Sequence, residues 1–216
     1  MTKRMVDMNR VPTQTPTVSG RAFHRLAAIF FLAVTILAAP AQAARLSGDG
    51  FAPRIDSAAS PLELCTSGTV RRLFMKALRA GLYLDRCSTP ERALEDGSKA
   101  LEILYFWSIG AKDFAAAADA VLARTFDAAE LAQLRPRIDQ LHRAYRDVRP
   151  GDRYRLTYVP DEGLTLSLNG DPLVTVPGAD FARAYFAIWL GPRPADEGLR
   201  ADLLARDAFG DERAQR

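Results

Sequence analysis

Four cations, Arg71, Arg72, Lys76 and Arg79, interrupt an otherwise apolar run, TVRRLFMKALRAGLYL at residues 69–84. A guanidinium is a planar fork of donors suited to oxyanions, so anion chemistry is sought here first. Elsewhere the reactive inventory is thin. His142 is the lone histidine after residue 43 and reads as a half-exposed group on an amphipathic helix. No G-x-S-x-G elbow presents a serine to it. One histidine and two distant cysteines, Cys65 and Cys87, make no zinc set. Without a P-loop or G-x-G-x-x-G, phosphate and dinucleotide sites have no support, and no cofactor is expected. Motifs alone name no reaction.

The elements that would position these groups begin after a leader. Arg21, His24 and Arg25 precede the apolar run from Leu26 to Ala39, which ends at Pro40 and AQA. A basic segment, an apolar segment and an A-x-A site predict a secretory signal over residues 1–43, cleaved near Ala43. A membrane anchor is the alternative, but a bilayer span needs roughly 20 apolar residues and this run is shorter. Without the leader, 24 basic and 25 acidic residues remain, a net charge of −1. The basic character of the whole chain therefore belongs largely to the leader, and nucleic-acid binding loses its electrostatic motive. No later run is long and apolar enough to span a bilayer, so an exported, soluble, periplasmic domain is expected.

Residues 44–60 mix Gly, Pro, Ser and charge without period and read as a linker. PLELCTSG reads as a short strand entering a turn, and Thr89-Pro90 as the start of a brief helix. ALEILYFW at 100–107 reads as a buried strand. Phe114, Ala117, Ala118, Val121 and Leu122 form a helical stripe. Asp127 and Glu130 have capping-box spacing, and Ile138, Leu141, Tyr145 and Val148 share a face beyond the interruption at Pro136. The period then becomes two: DRYRLTYV alternates, and GLTLSLNGDPLVTV is a hairpin turning at Asn169-Gly170. Phe181, Tyr185, Ile188 and Trp189 mark a further helix ending at Gly191, and a short helix near 195–206 precedes a polar tail at 208–216. Strands, two helices, a hairpin and a helix predict an α+β domain over 61–207 with an antiparallel sheet.

The order of these segments resembles the exported bacterial branch of the chalcone isomerase-like family. The LSLNG hairpin, the GADFARAYFAIWLG helix and the GLYL strand end carry the likeness, which covers about residues 61–206. It implies an open-faced sandwich: a long antiparallel sheet backed by a layer of helices, with the ligand cleft between them. By local spacing 69–84 favours a helix, with Val70, Leu73, Phe74, Ala77, Leu78, Gly81 and Leu82 on one face. The resemblance overrides this and makes 70–84 one long strand. Such a strand spans roughly 45 to 50 Å at about 3.3 Å per residue. A Cys65–Cys87 bridge would need the chain to fold back, and the reading leaves the two cysteines unpaired.

The resemblance also implies roles. Family enzymes convert a chalcone to a flavanone without a cofactor, with an arginine after a Gly-rich turn stabilising the oxyanion. Gly68, Val70 and Arg71 resemble that turn, with Arg72 the alternative, and the two arginines point to opposite faces of a strand. Where the family uses threonine, tyrosine and asparagine, this chain has Leu78, Phe114 and Val121. An efficient chalcone isomerase is therefore not expected. The leading expectation is a non-catalytic or weakly catalytic protein that binds a small amphipathic or fatty-acid-like ligand in the cleft, held by Arg71 or Arg72. The alternatives are an isomerase with a different polar set, Tyr83, Tyr105 or Ser108, and an interaction protein whose cleft is filled.

Overall fold

Seven antiparallel strands cross one sheet in the order in which they occur in the chain. The computed structural model describes residues 50–87 and 93–205, all within the unit Ala43–Arg216. The strands are β1 (Arg54–Ile55), β2 (Leu62–Arg72), β3 (Met75–Leu84), β4 (Lys99–Tyr105), β5 (Arg153–Val159), β6 (Gly163–Leu168) and β7 (Asp171–Val176). Between β4 and β5 the chain leaves the sheet for α1 (Ala111–Thr125) and α2 (Ala128–His142); α3 (Ala179–Leu190) and α4 (Glu197–Leu203) follow β7. This is the expected sheet-and-helix architecture. The leader, Thr89-Pro90 and the tail lie outside the described residues.

Alternation assigns the two faces of the sheet. Leu82, Leu101, Ile103, Tyr105, Tyr154, Leu156 and Leu166 point to the helices and form the main core with Val121, Leu122, Ile138, Phe181 and Tyr185. The opposite face carries a smaller core of Phe51, Ile55, Leu62, Leu64, Tyr83 and Ala100. Residues 50–60, expected to be linker, supply its cover: β1 pairs with β2 and Phe51 is fully buried.

The stretch at 69–84 is neither a helix nor one strand. It folds back at Leu73 and Phe74, and Arg72 pairs with Met75. Both turn residues have positive φ, 49° and 65°, which is the backbone of a two-residue hairpin turn. Register shifts between Leu64 and Thr66 and between Val70 and Arg71 change which row faces inward. A turn and two shifts are why neither alternating row was uniformly apolar. Folding back also joins the cysteines: Cys65 and Cys87 form a disulfide with their Cα atoms 4.9 Å apart. The unpaired reading is thus overturned, because its premise of a single extended strand fails. Gly68 is likewise no turn residue. It lies in mid-strand where α4 crosses, and a Cβ there would approach Leu199 and Asp202 within 3 Å.

Helix boundaries follow their caps. Asp127 accepts from the Ala129 and Glu130 N–H groups at 2.8 and 2.9 Å, and Glu130 accepts from the Asp127 N–H at 3.2 Å. α2 runs on through Pro136 rather than stopping there. The α1–α2 excursion is closed at its base by a bridge between Ile109 and Val148, and the Ala111 N–H donates to Asp147 at 2.8 Å.

On the outer face Glu102 is buried between two arginines. Arg153 donates to one carboxylate oxygen and Arg155 donates through Nε to the other, each at 2.8 Å. Removing the carboxylate leaves two partly buried cations opposed, so Glu102→Leu should destabilise the domain by about 3 kcal/mol. A urea midpoint unchanged from the parent would show that this cluster is solvated.

Candidate functional site

Between the sheet and α1 and α3 lies a cavity of about 80 Å³. Its walls are mostly apolar: Ile103, Leu156 and Leu166 from the sheet, Phe114 and Ala118 from α1, Ile188 and Trp189 from α3. Exposed Ala117 and Ala195, which also line it, mark where it meets solvent.

Polarity enters as phenols. Tyr105 projects from β4, Tyr154 from β5, Tyr185 from α3, and Tyr145 from the segment just after α2. Phe114 packs in their midst, stacked on Tyr145 at 5.3 Å between ring centroids and edge-on to Tyr105 and Tyr154 at the same distance. The Tyr145 and Tyr185 hydroxyls share a hydrogen bond of 2.6 Å. The Tyr154 hydroxyl accepts from the Arg146 N–H at 2.7 Å and donates to the Arg146 carbonyl at 2.8 Å. The Tyr105 hydroxyl has no hydrogen-bond partner among the described residues, although the residue is 2% exposed.

Burial pushes the phenols of Tyr105, Tyr145 and Tyr185 well above their ordinary range. They are therefore neutral hydroxyls, able to donate to a ligand oxygen. His142 packs against the rings of Tyr145 and Tyr185, at 5.8 and 6.2 Å between centroids. It is more enclosed than expected, and burial lowers its pKa despite Asp119, so the ring is neutral.

Of the residues nominated from sequence, Tyr105 alone lines this cavity. Arg71 and Arg72 are exposed near the hairpin tip, where Arg72 Nη1 reaches Asp196 at 3.2 Å. The fold-back that moved the turn moved both arginines away from the cleft. Tyr83 is buried on the outer face, its hydroxyl donating to the Ala52 carbonyl at 3.0 Å. Ser108 is exposed between β4 and α1. Phe114 does stand at the site, while Val121 is core and Leu78 is packed against it.

Sequence reasoning missed Tyr145, Tyr154 and Tyr185 as site residues. Tyr145 and Tyr185 fall on the apolar faces already recognised in their segments, so the available signal was a phenol among side chains turned toward the core.

The profile of a family described as chalcone isomerase-like matches residues 43–205. No curated protein matches the chain. Among solved structures, the crystal structure of an Arabidopsis thaliana fatty-acid binding protein is similar in fold. The TM-score is 0.54 at 15% identity, over 74% of this chain and 94% of that one.

Proposed function

Because this chain belongs to the chalcone isomerase-like family, we propose that it is a non-catalytic binding protein for a small amphipathic ligand with an acyl-like tail. The observation that carries this reading is the apolar cavity into which Tyr105 brings an unpartnered hydroxyl. A donor at an apolar wall with no protein partner is available to a ligand carbonyl or hydroxyl. The fold shared with a fatty-acid binding protein supports the same reading.

The head group changes from the one first expected. No cation lines the cavity among the described residues, so a carbonyl, ester or protonated acid fits better than a carboxylate. Phe114, Leu78 and Val121 supply none of the polar groups that the family's isomerases use. The leader pattern at residues 21–43 supports export within the bacterial branch, and the disulfide supports an oxidising compartment such as the periplasm.

Native mass spectrometry of protein purified without detergent tests the reading. A bound mass that leaves on denaturation is expected. It should vanish in Ala118→Phe, whose ring fills the cavity, and bind roughly fivefold more weakly in Tyr105→Phe, which lacks the donor. If ligand retention were unaffected by Ala118→Phe, the cavity would not be the site. Turnover of a chalcone by the parent would replace binding with isomerisation.

A further inference from the structure

All four exposed large hydrophobic residues among those described stand at one corner of the sheet. They are Leu73 (84% exposed), fully exposed Phe74, Met75 (57%) and Trp107 (36%). The first three form the β2–β3 tip. Trp107 follows β4 immediately after Phe106, whose N–H donates to the Ala77 carbonyl at 3.0 Å, so it lies beside the same strand. Arg71, Arg72 and Lys76 surround the tip and are all exposed.

Apart from the pairing of Arg72 with Asp196, this tip does little for the free protein. Leu73 and Phe74 hold positive φ where this chain's other two-residue hairpin uses Asn169 and Gly170. Bulky side chains are disfavoured in that region, which glycine and asparagine tolerate. Arg71 and Lys76 are directly paired across the strands and neither has an ion pair among the described residues. Like charges opposite one another repel. Apolar side chains at the apex, a tryptophan at the shoulder and cations below form a graded surface: acyl chains, interface, anionic head groups.

We propose that the β2–β3 tip is a membrane-docking wedge that inserts Leu73, Phe74 and Met75 into an anionic lipid surface. Arg71, Arg72 and Lys76 contact the head groups, and Trp107 rests at the interface. The leader's apolar run is itself lipid-soluble, so the test reads position 74 and not sedimentation alone.

A full-length chain carrying Phe74→Trp is mixed with phosphatidylcholine vesicles, with or without phosphatidylglycerol. With the emission of Trp107 and Trp189 subtracted as that of the parent chain, the expected result is a blue shift of the position-74 emission and quenching by brominated acyl chains with anionic vesicles only, reversed by salt. Changing Arg71, Arg72 and Lys76 together to Gln should lower partitioning roughly a hundredfold. The double variant Leu73→Asn/Phe74→Gly, read by the shift of Trp107, should lose docking while raising thermal stability, because it installs the turn that the backbone prefers. With vesicles present, three results would overturn the proposal: solvent-like emission at position 74 while the chain sediments with vesicles, equal shifts with uncharged vesicles, or docking retained in the Asn-Gly variant. A shift that grows with protein concentration and needs no lipid would overturn it in favour of a second copy of the chain.

Discussion

Stability should rise as the pH climbs from about 8 to about 10 and then collapse, because Lys99 and the tyrosines titrate with opposite sign. Lys99 is 2% exposed, and its Nζ donates to the Ala93 carbonyl at 2.8 Å and to the Glu95 carbonyl. Burial nevertheless pushes its pKa down to about 8. Between that value and the unfolded value near 10.4, the unfolded chain holds a proton that the folded chain has released. Stability therefore increases with pH across this window, by about 2 kcal/mol up to pH 10.

The tyrosines work the other way. All six in the chain have phenols raised by burial: Tyr83, Tyr105, Tyr145, Tyr154, Tyr158 and Tyr185. Their stabilisation is complete below the unfolded pKa near 10 and is lost as pH rises toward the folded values. Above pH 10 every raised phenol acts in the same direction, so the loss is steeper than any one tyrosine would give. Urea midpoints against pH at fixed ionic strength read both limbs. Lys99→Met should flatten the rise and keep the fall. A level curve between pH 10 and 11 would mean that the phenols are solvated and that the cavity described here does not exist in solution.

Loss of the Cys65–Cys87 bridge should lower stability by about 3 kcal/mol and the melting temperature by roughly 10 °C. The bridge closes a sequence separation of 22 residues, and without it the unfolded chain regains that freedom. Cys65 sits at the register shift in β2, turned to the helix-side core, and Cys87 lies just past the end of β3. The bridge therefore pins the start of the β3–β4 connection, whose far end is held by Lys99 on the Ala93 and Glu95 carbonyls. Thermal melts of the parent and of Cys65→Ala/Cys87→Ala, with and without reductant, check this. The reductant should lower the parent to the variant and leave the variant unmoved. Identical melts in all four samples would mean that the bridge does not form.

These contrasts show which parts of the fold were legible. The β6–β7 hairpin could be read because alternation and turn chemistry agree: Leu164, Leu166 and Leu168 lead into Asn169-Gly170, whose φ values are 54° and 96°. The Asp127 cap was readable for the same reason. The β2–β3 hairpin was not, because Leu73-Phe74 contains no residue that announces a turn. That one concealment caused three errors at once: a single long strand, unpaired cysteines, and arginines assigned to a cleft they do not reach. The site was hidden differently. Phe114 could be aligned, but a tyrosine on an apolar face looks the same in sequence whether its hydroxyl meets a cavity, a carbonyl or another phenol.

The sheet has a consequence for how the chain is made. Every strand pairs with the one before it, so a polypeptide leaving the ribosome can zip the sheet in order of synthesis, with little loop closure at any step except across the α1–α2 excursion. α4 is out of sequence. It docks on β2, where Leu199 and Asp202 cover Gly68 and Thr66 donates at 2.6 Å to the Leu203 carbonyl, 137 residues later. The earliest strands must therefore wait, with this surface of β2 bare, until α4 has been made. Seven residues at the end of the fold act as its latch, and a message truncated just before them would release a zipped sheet that cannot close.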